Sequence, residues 1–149
     1  MNERIVGKTK HGELTMDQLA EIQPGMSWIM NENAKRWWYM YYAAQGGNWL
    51  LAAYQYREIR GLFTIAKTTR PKFAQDLSAF EEGYMKPVID AINEKNWEKF
   101  ETAFNNAIQG SDFYHDKWGF PYVRYVVPSE PPGHLHLGPP EKLVRRKAT

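Results

Sequence analysis

Apolar residues recur at three- and four-residue steps through most of this chain, and the places where the rhythm fails mark its boundaries. Residues 1–25 are polar and end at Gln23-Pro24-Gly25, which predicts an arm with one turn of helix around residues 16–22. From Ser27, a suitable N-cap, Met30, Ala34, Trp37 and Tyr41 fall on one face until Gly46-Gly47 stops the run, predicting a first helix over 27–45. In the second run Trp49, Ala52, Ala53, Tyr56 and Phe63 line one side with Leu51, Tyr54, Leu62 and Ile65 beside them. That wide apolar face ends before Arg70-Pro71, because a residue ahead of proline avoids the helical region.

Leu77, Phe80, Tyr84, Val88 and Ile92 predict a third helix over 73–94, with Pro87 placed to kink or break it. A fourth carries Trp97, Phe100, Phe104, Ile108, Ser111, His115 and Trp118 in one stripe, so His115 is expected to point inward with Phe104 and Trp97. After Gly119 the chain alternates too briefly for a strand, and its prolines predict an extended strap. The fold expected is all-α: an antiparallel four-helix bundle with an extended proline-rich C-terminal strap. Its parts are an N-terminal arm (1–25), the bundle with its strap (26–137) and a basic tail (138–149).

Composition narrows the chemistry. A chain of 149 residues with 43% hydrophobic and 15% aromatic content can bury a core without staples. The net charge of +2 is partly terminal, from Lys142, Arg145, Arg146 and Lys147, so the body offers no nucleic-acid footprint. Absence of cysteine excludes disulfides, thiolate metal sites, cysteine nucleophiles and covalent c-type haem. No leader-like start and no run of about 18 apolar residues is present. The expectation is a soluble cytoplasmic chain with no membrane and no nucleic-acid partner, or a periplasmic one if a leader was removed.

Two segments carry a resemblance. One holds Asn48, Trp49, Leu51, Ala52, Tyr54, Glu58 and Ile59 in order; the other holds Ser111, Tyr114 and His115, then Gly119, Tyr122-Val123, Pro128, Pro131 and Pro132. Together they resemble periplasmic c-type cytochrome-like helical domains over roughly residues 26–137, with Ala44 where that family has glycine. The resemblance implies a helical bundle with haem held at a Cys-x-x-Cys-His site. Ser111 and Tyr114 stand at the two thioether positions, so only the histidine survives. A vacated haem pocket would cost about 24 cal/mol per Å3 of void. The rings of Trp37, Trp38, Tyr41, Tyr42, Tyr114 and Trp118 are what filling it, or lining a ligand cavity, would require.

His115 is therefore the candidate site residue, with Tyr114, Trp118, Trp37 and Tyr41 as pocket partners. One role is a hydrogen-bonded core histidine; the other is an axial ligand to non-covalent haem, with Met30, Met40 or Met85 as second ligand. Asp112-x-x-His115 imitates half of a di-iron motif, with Glu58, Glu81 and Glu82 as imaginable bridges, but the second half is missing and salt bridging accounts better for Asp112. His134 and His136 would capture metal only adventitiously. No Ser-His-Asp order or phosphate loop stands out. The expected function is a non-catalytic small-molecule-binding or protein-interaction module without cofactor, the alternative being a haem protein for gas sensing or electron transfer. Trp38, Tyr42 and Tyr56 mark a possible homodimer face on the first two helices.

Overall fold

The computed structural model describes residues 5–143 and 146. Helix accounts for 69% and strand for 5%, so the helical class holds and the departure from it is confined to the N-terminus. There the expected arm is a hairpin of β1 (Ile5–Thr9) and β2 (Gly12–Thr15), closed by Thr9 opposite Gly12. Gly12, at φ +140°, takes a conformation that side chains disfavour. Strands this short and charged carry too little alternation to be read. Thr15 then starts α1 (Met16–Glu21) with a capping box: the Gln18 N–H donates to Thr15 Oγ1 (3.1 Å) and the Thr15 N–H to Gln18 Oε1 (2.9 Å). α1 buries no residue.

Helix α2 (Met26–Gly46) starts one residue earlier than expected, with Gly25 rather than Ser27 as N-cap, and stops at Gly47 in the left-handed region (φ 88°). Asn48 immediately caps α3 (Trp49–Thr69), its Oδ1 accepting from the Leu51 N–H at 3.1 Å. A link this short folds α3 back along α2, and Arg36 Nη1 reaches across to donate to buried Gln55 Oε1 (3.1 Å). The buried face of α3 is narrower than its apolar content suggests. Ala52, Gln55, Tyr56, Ile59, Phe63 and Ala66 point in, while Tyr54 and Ile65 are exposed.

The third predicted helix is four pieces: a 3-10 turn at Pro71–Phe73, α4 (Ala74–Phe80), a π-helical turn at Glu81–Met85, and α5 (Lys86–Asn93). Pro87 cannot donate to a carbonyl one turn back and its ring crowds that position, so the turn before it widens. The wide turn also suits the apolar spacing. Four residues overshoot a full α-turn by about 40°, and Phe80, Tyr84, Val88 and Ile92 make three such steps in succession.

Helix α6 (Trp97–Lys117) is capped by Asn96, whose Oδ1 accepts from the Lys99 N–H at 3.0 Å. Its Gly110 is required by packing: a Cβ there would lie 2.6 Å from the Tyr84 ring. Met40, Ile59, Met85, Val88, Phe100 and Phe104 are fully enclosed, each contributing roughly 1.5–3 kcal/mol by leaving water. Trp37 joins the core through edge contacts to Phe104 (5.3 Å) and Phe80 (6.4 Å).

Residues 120–137 form no helix or strand and run along α2. The Tyr125 hydroxyl donates to Ala34 O (2.9 Å), Trp38 Nε1 to Glu130 O (2.9 Å), the Tyr42 hydroxyl to Pro128 O (2.8 Å) and Asn48 Nδ2 to His136 O (3.0 Å). Trp38 and Tyr42 thus serve their own chain and Tyr56 is 7% exposed, which removes the surface argument for a dimer through these residues. Arg145 and Lys147 of the basic tail lie outside the described residues. Among the described residues no helix is long and apolar enough to cross a membrane.

Asn48 couples a helix cap to the C-terminal segment through two different atoms. Asn48→Ala is expected to destabilise the chain by about 1–3 kcal/mol in urea titration. Asn48→Ser, which restores the cap acceptor but not the amide donor, should recover only part of that loss.

Candidate functional site

One cleft of about 380 Å3 opens between the first half of α2, α4, the last three turns of α6 and the chain after Gly119. It arises because the core stops short of it: Gly110 is the last buried residue of α6, and beyond it the helix leans on larger, half-exposed side chains. Trp37 and Phe80 form its floor, Phe63 contributes from α3, and Leu77 and Ile108 its sides. Met26 and Met30 flank the α2 side. Val123 and Tyr125 close it from the C-terminal segment.

Four of the five pocket residues expected from the sequence, Trp37, Tyr114, His115 and Trp118, line this cleft. Tyr41 does not. One turn along α2 from Trp37, it packs between Trp97 (5.5 Å) and Phe104 (5.0 Å), where burial first and the Glu101 carboxylate second push its phenol pKa up. His115 is half-buried rather than a core residue, and Trp118 is 37% exposed. Of the methionines considered as second ligands, Met30 lies on the cleft, whereas Met40 and Met85 are enclosed in the core.

Local helix geometry sets the chemistry of His115. Its Nδ1 lies 2.8 Å from the main-chain oxygen of Ser111, one turn earlier, and 3.2 Å from Ser111 Oγ. A carbonyl can only accept, so Nδ1 carries the proton and donates it. Two consequences follow. Nδ1 cannot act as a base toward the Ser111 hydroxyl, so this Ser–His pair is not a nucleophile with its activator. In the neutral ring Nε2 then holds the open lone pair, the arrangement that prepares a histidine to accept a hydrogen bond or bind a metal.

Charges at the rim are paired with one another. Asp76 accepts from Lys117 Nζ (2.9 Å) and from Trp118 Nε1 (2.7 Å); the lysine, then the indole, hold its carboxyl below the usual range. Arg124 is bound by Asp116 (2.5 Å), with Asp112 at 3.9 Å. The Tyr125 phenol is pushed well above its ordinary pKa by burial. Glu81, once imaginable as a bridging carboxylate, is taken up by Lys67 and by Arg60 (3.2 Å). His134 contacts the Tyr39 hydroxyl (3.1 Å), and among the described residues no group of three His, Asp or Glu side chains could hold a metal ion.

Phe73, Asp76, Phe63 and Tyr125 were absent from the sequence reading of the site. They come from segments far apart in the chain, and nothing local signals that they converge. Phe73 does so edge-on against Trp118 at 4.6 Å.

Because the folded carboxyl of Asp76 titrates below its unfolded value of about 3.9, its pairing stabilises the chain above that pH and is lost as pH falls through the folded pKa. Asp76→Asn should therefore be less stable than wild type at pH 7, with the difference shrinking below about pH 4 in thermal melts. Comparison with family models, with curated proteins and with solved structures finds no match to this chain.

Proposed function

We propose that this chain is a non-catalytic small-molecule-binding module: an antiparallel four-helix body, strapped by residues 119–137, that descends from a c-type cytochrome-like domain and no longer attaches haem covalently. The observation that carries the reading is the cleft itself. About 380 Å3 of space walled by Trp37, Phe63, Phe80, Tyr114 and Trp118 lies within the range of about 300–1,000 Å3 that ligand pockets occupy. Filled only with water, such walls would forfeit contacts that a matching apolar body restores. The non-catalytic part rests on the protonated Nδ1 of His115, which cannot take a proton from the Ser111 hydroxyl.

One observation favours a second reading, non-covalent haem. His115 donates Nδ1–H to a carbonyl one turn back and leaves Nε2 free, which is how axial histidines are oriented. The rest of the cleft fits haem less well. Arg124 on its wall is already committed to Asp116, and among the described residues no other Lys or Arg lines the cleft to meet the propionates.

Titrating the purified chain with N-phenyl-1-naphthylamine, a neutral apolar fluorophore, should enhance its emission at one-to-one stoichiometry. Ala34→Phe, which fills the cleft from α2, should abolish that response. Haem added in parallel should give no sharp Soret band, while His115→Ala should cost only about 0.5–1.5 kcal/mol, the net value of one hydrogen bond, because the Ser111 carbonyl keeps its helical partner. A Soret band that His115→Ala removes, without fluorophore binding, would establish the haem reading instead.

A further inference from the structure

The polar groups around the cleft have been used up selectively, and what is left over specifies a ligand. Trp37 Nε1 donates to Asn33 Oδ1 (3.2 Å), Trp118 Nε1 to Asp76 (2.7 Å) and the Tyr125 hydroxyl to Ala34 O (2.9 Å). Three potential donors in the wall are thereby spent within the chain. Both ions nearest the opening are neutralised by partners of their own, Asp76 by Lys117 and Arg124 by Asp116. A charged ligand would leave water for a wall on which, among the described residues, each Asp or Arg is already paired, and burying an unpaired charge is strongly unfavourable. What remains among the described residues is the Tyr114 hydroxyl and, at the exposed rim, the Asn31 amide, neither with a side-chain partner, together with a group that can only accept: the lone pair on His115 Nε2, fixed by the Nδ1–H bond to Ser111 O (2.8 Å).

Resting on the reading of this cleft as a small-molecule site, we infer that its ligand is an uncharged, planar aromatic molecule of two or three rings carrying one hydroxyl or N–H donor, which it gives to His115 Nε2. Ring number follows from volume. A dry cavity of about 150 Å3 accepts benzene, and this cleft holds about 380 Å3. Planarity follows from the walls: Trp37 meets Phe80 edge-on at 68°, and Phe80 meets Tyr114 edge-on at 79°, so flat faces and ring edges alternate around the space. A flat guest can satisfy both at once, by offset stacking on one ring and edge contact with the next. The donor requirement follows from the tautomer, because a neutral imidazole with its proton at Nδ1 can only accept at Nε2.

Three probes of matched ring system separate this inference from the reading beneath it. 2-Naphthol is neutral and donates, 2-methoxynaphthalene is neutral and cannot, and 2-naphthoate is anionic. By calorimetry on the full chain, naphthol should bind roughly three- to tenfold tighter than the methyl ether, the value of one neutral hydrogen bond. Naphthoate should bind no better than the ether. In His115→Phe the ratio of naphthol to ether should fall to about one, with a thermal melt checking that the variant folds. Equal binding of naphthol and ether to wild type overturns the inferred donor while leaving the cleft as a site for apolar guests. Preference for naphthoate overturns the uncharged class. A preference for naphthol that survives in His115→Phe assigns the acceptor elsewhere and refutes the role given to His115. If none of the three binds, the small-molecule reading itself falls.

Discussion

A chain rich in proline cannot hydrogen-bond to itself along its length, yet its carbonyls must be served wherever it lies against protein. Residues 120–137 meet that constraint by borrowing donors from α2 and its end: Trp38, Tyr42 and Asn48 each give a side-chain N–H or O–H to a main-chain oxygen, while Tyr125 returns one to Ala34. Much else depends on this exchange. Without it α2 would show an indole and a phenol to water, and Val123 and Tyr125 would not stand over Trp37 and Ala34 to make a cleft out of a helix surface. Gly46 is part of the same arrangement, since a Cβ there would fall 2.2 Å from the Leu137 carbonyl oxygen.

The cleft is a consequence of where large and small residues fall on α6. Ala103, Ala107 and Gly110 let neighbouring helices approach closely, and Tyr84 occupies the space beside Gly110. Past that point Tyr114 and Trp118 are too bulky for the same spacing, and the helices part. Close packing on one side of a turn and rings on the other produce a tight core that ends abruptly in a cavity.

Helix positions were legible because their apolar stripes are long and their ends are marked by Gly47, Asn48, Pro71 and Asn96. What the stripe could not show is winding: Pro87 foretold an irregularity, but only packing reveals that it takes the form of a π-turn over Glu81–Met85. The Thr15–Gln18 capping box was present in the sequence as Thr-x-x-Gln and marks the start of α1 better than composition does. His115, Tyr114 and Trp118 could be read as neighbours from one helix. Tyr41 was misplaced because four residues along α2 carry a side chain beyond the end of the cleft and into the Trp97 cluster. Trp38 was read as a surface residue since its partner, Glu130, lies 92 positions away and contributes only a main-chain oxygen, which no side-chain pattern can announce.

The path of the last segment also fixes where the chain leaves the helical body. Pro139 lies 3.5 Å from the Cβ position of Gly47, at the far end of α2, whereas the chain enters at Gly25 beside Arg70 (3.6 Å). Since α2 has 21 residues, its two ends are about 30 Å apart. Many domains bring their ends together; here the entry to the helical body at Gly25 and the exit at Pro139 lie at opposite ends of α2. A pull applied at Gly25 and Pro139 would therefore load α2 against residues 120–137 in shear rather than peel them apart.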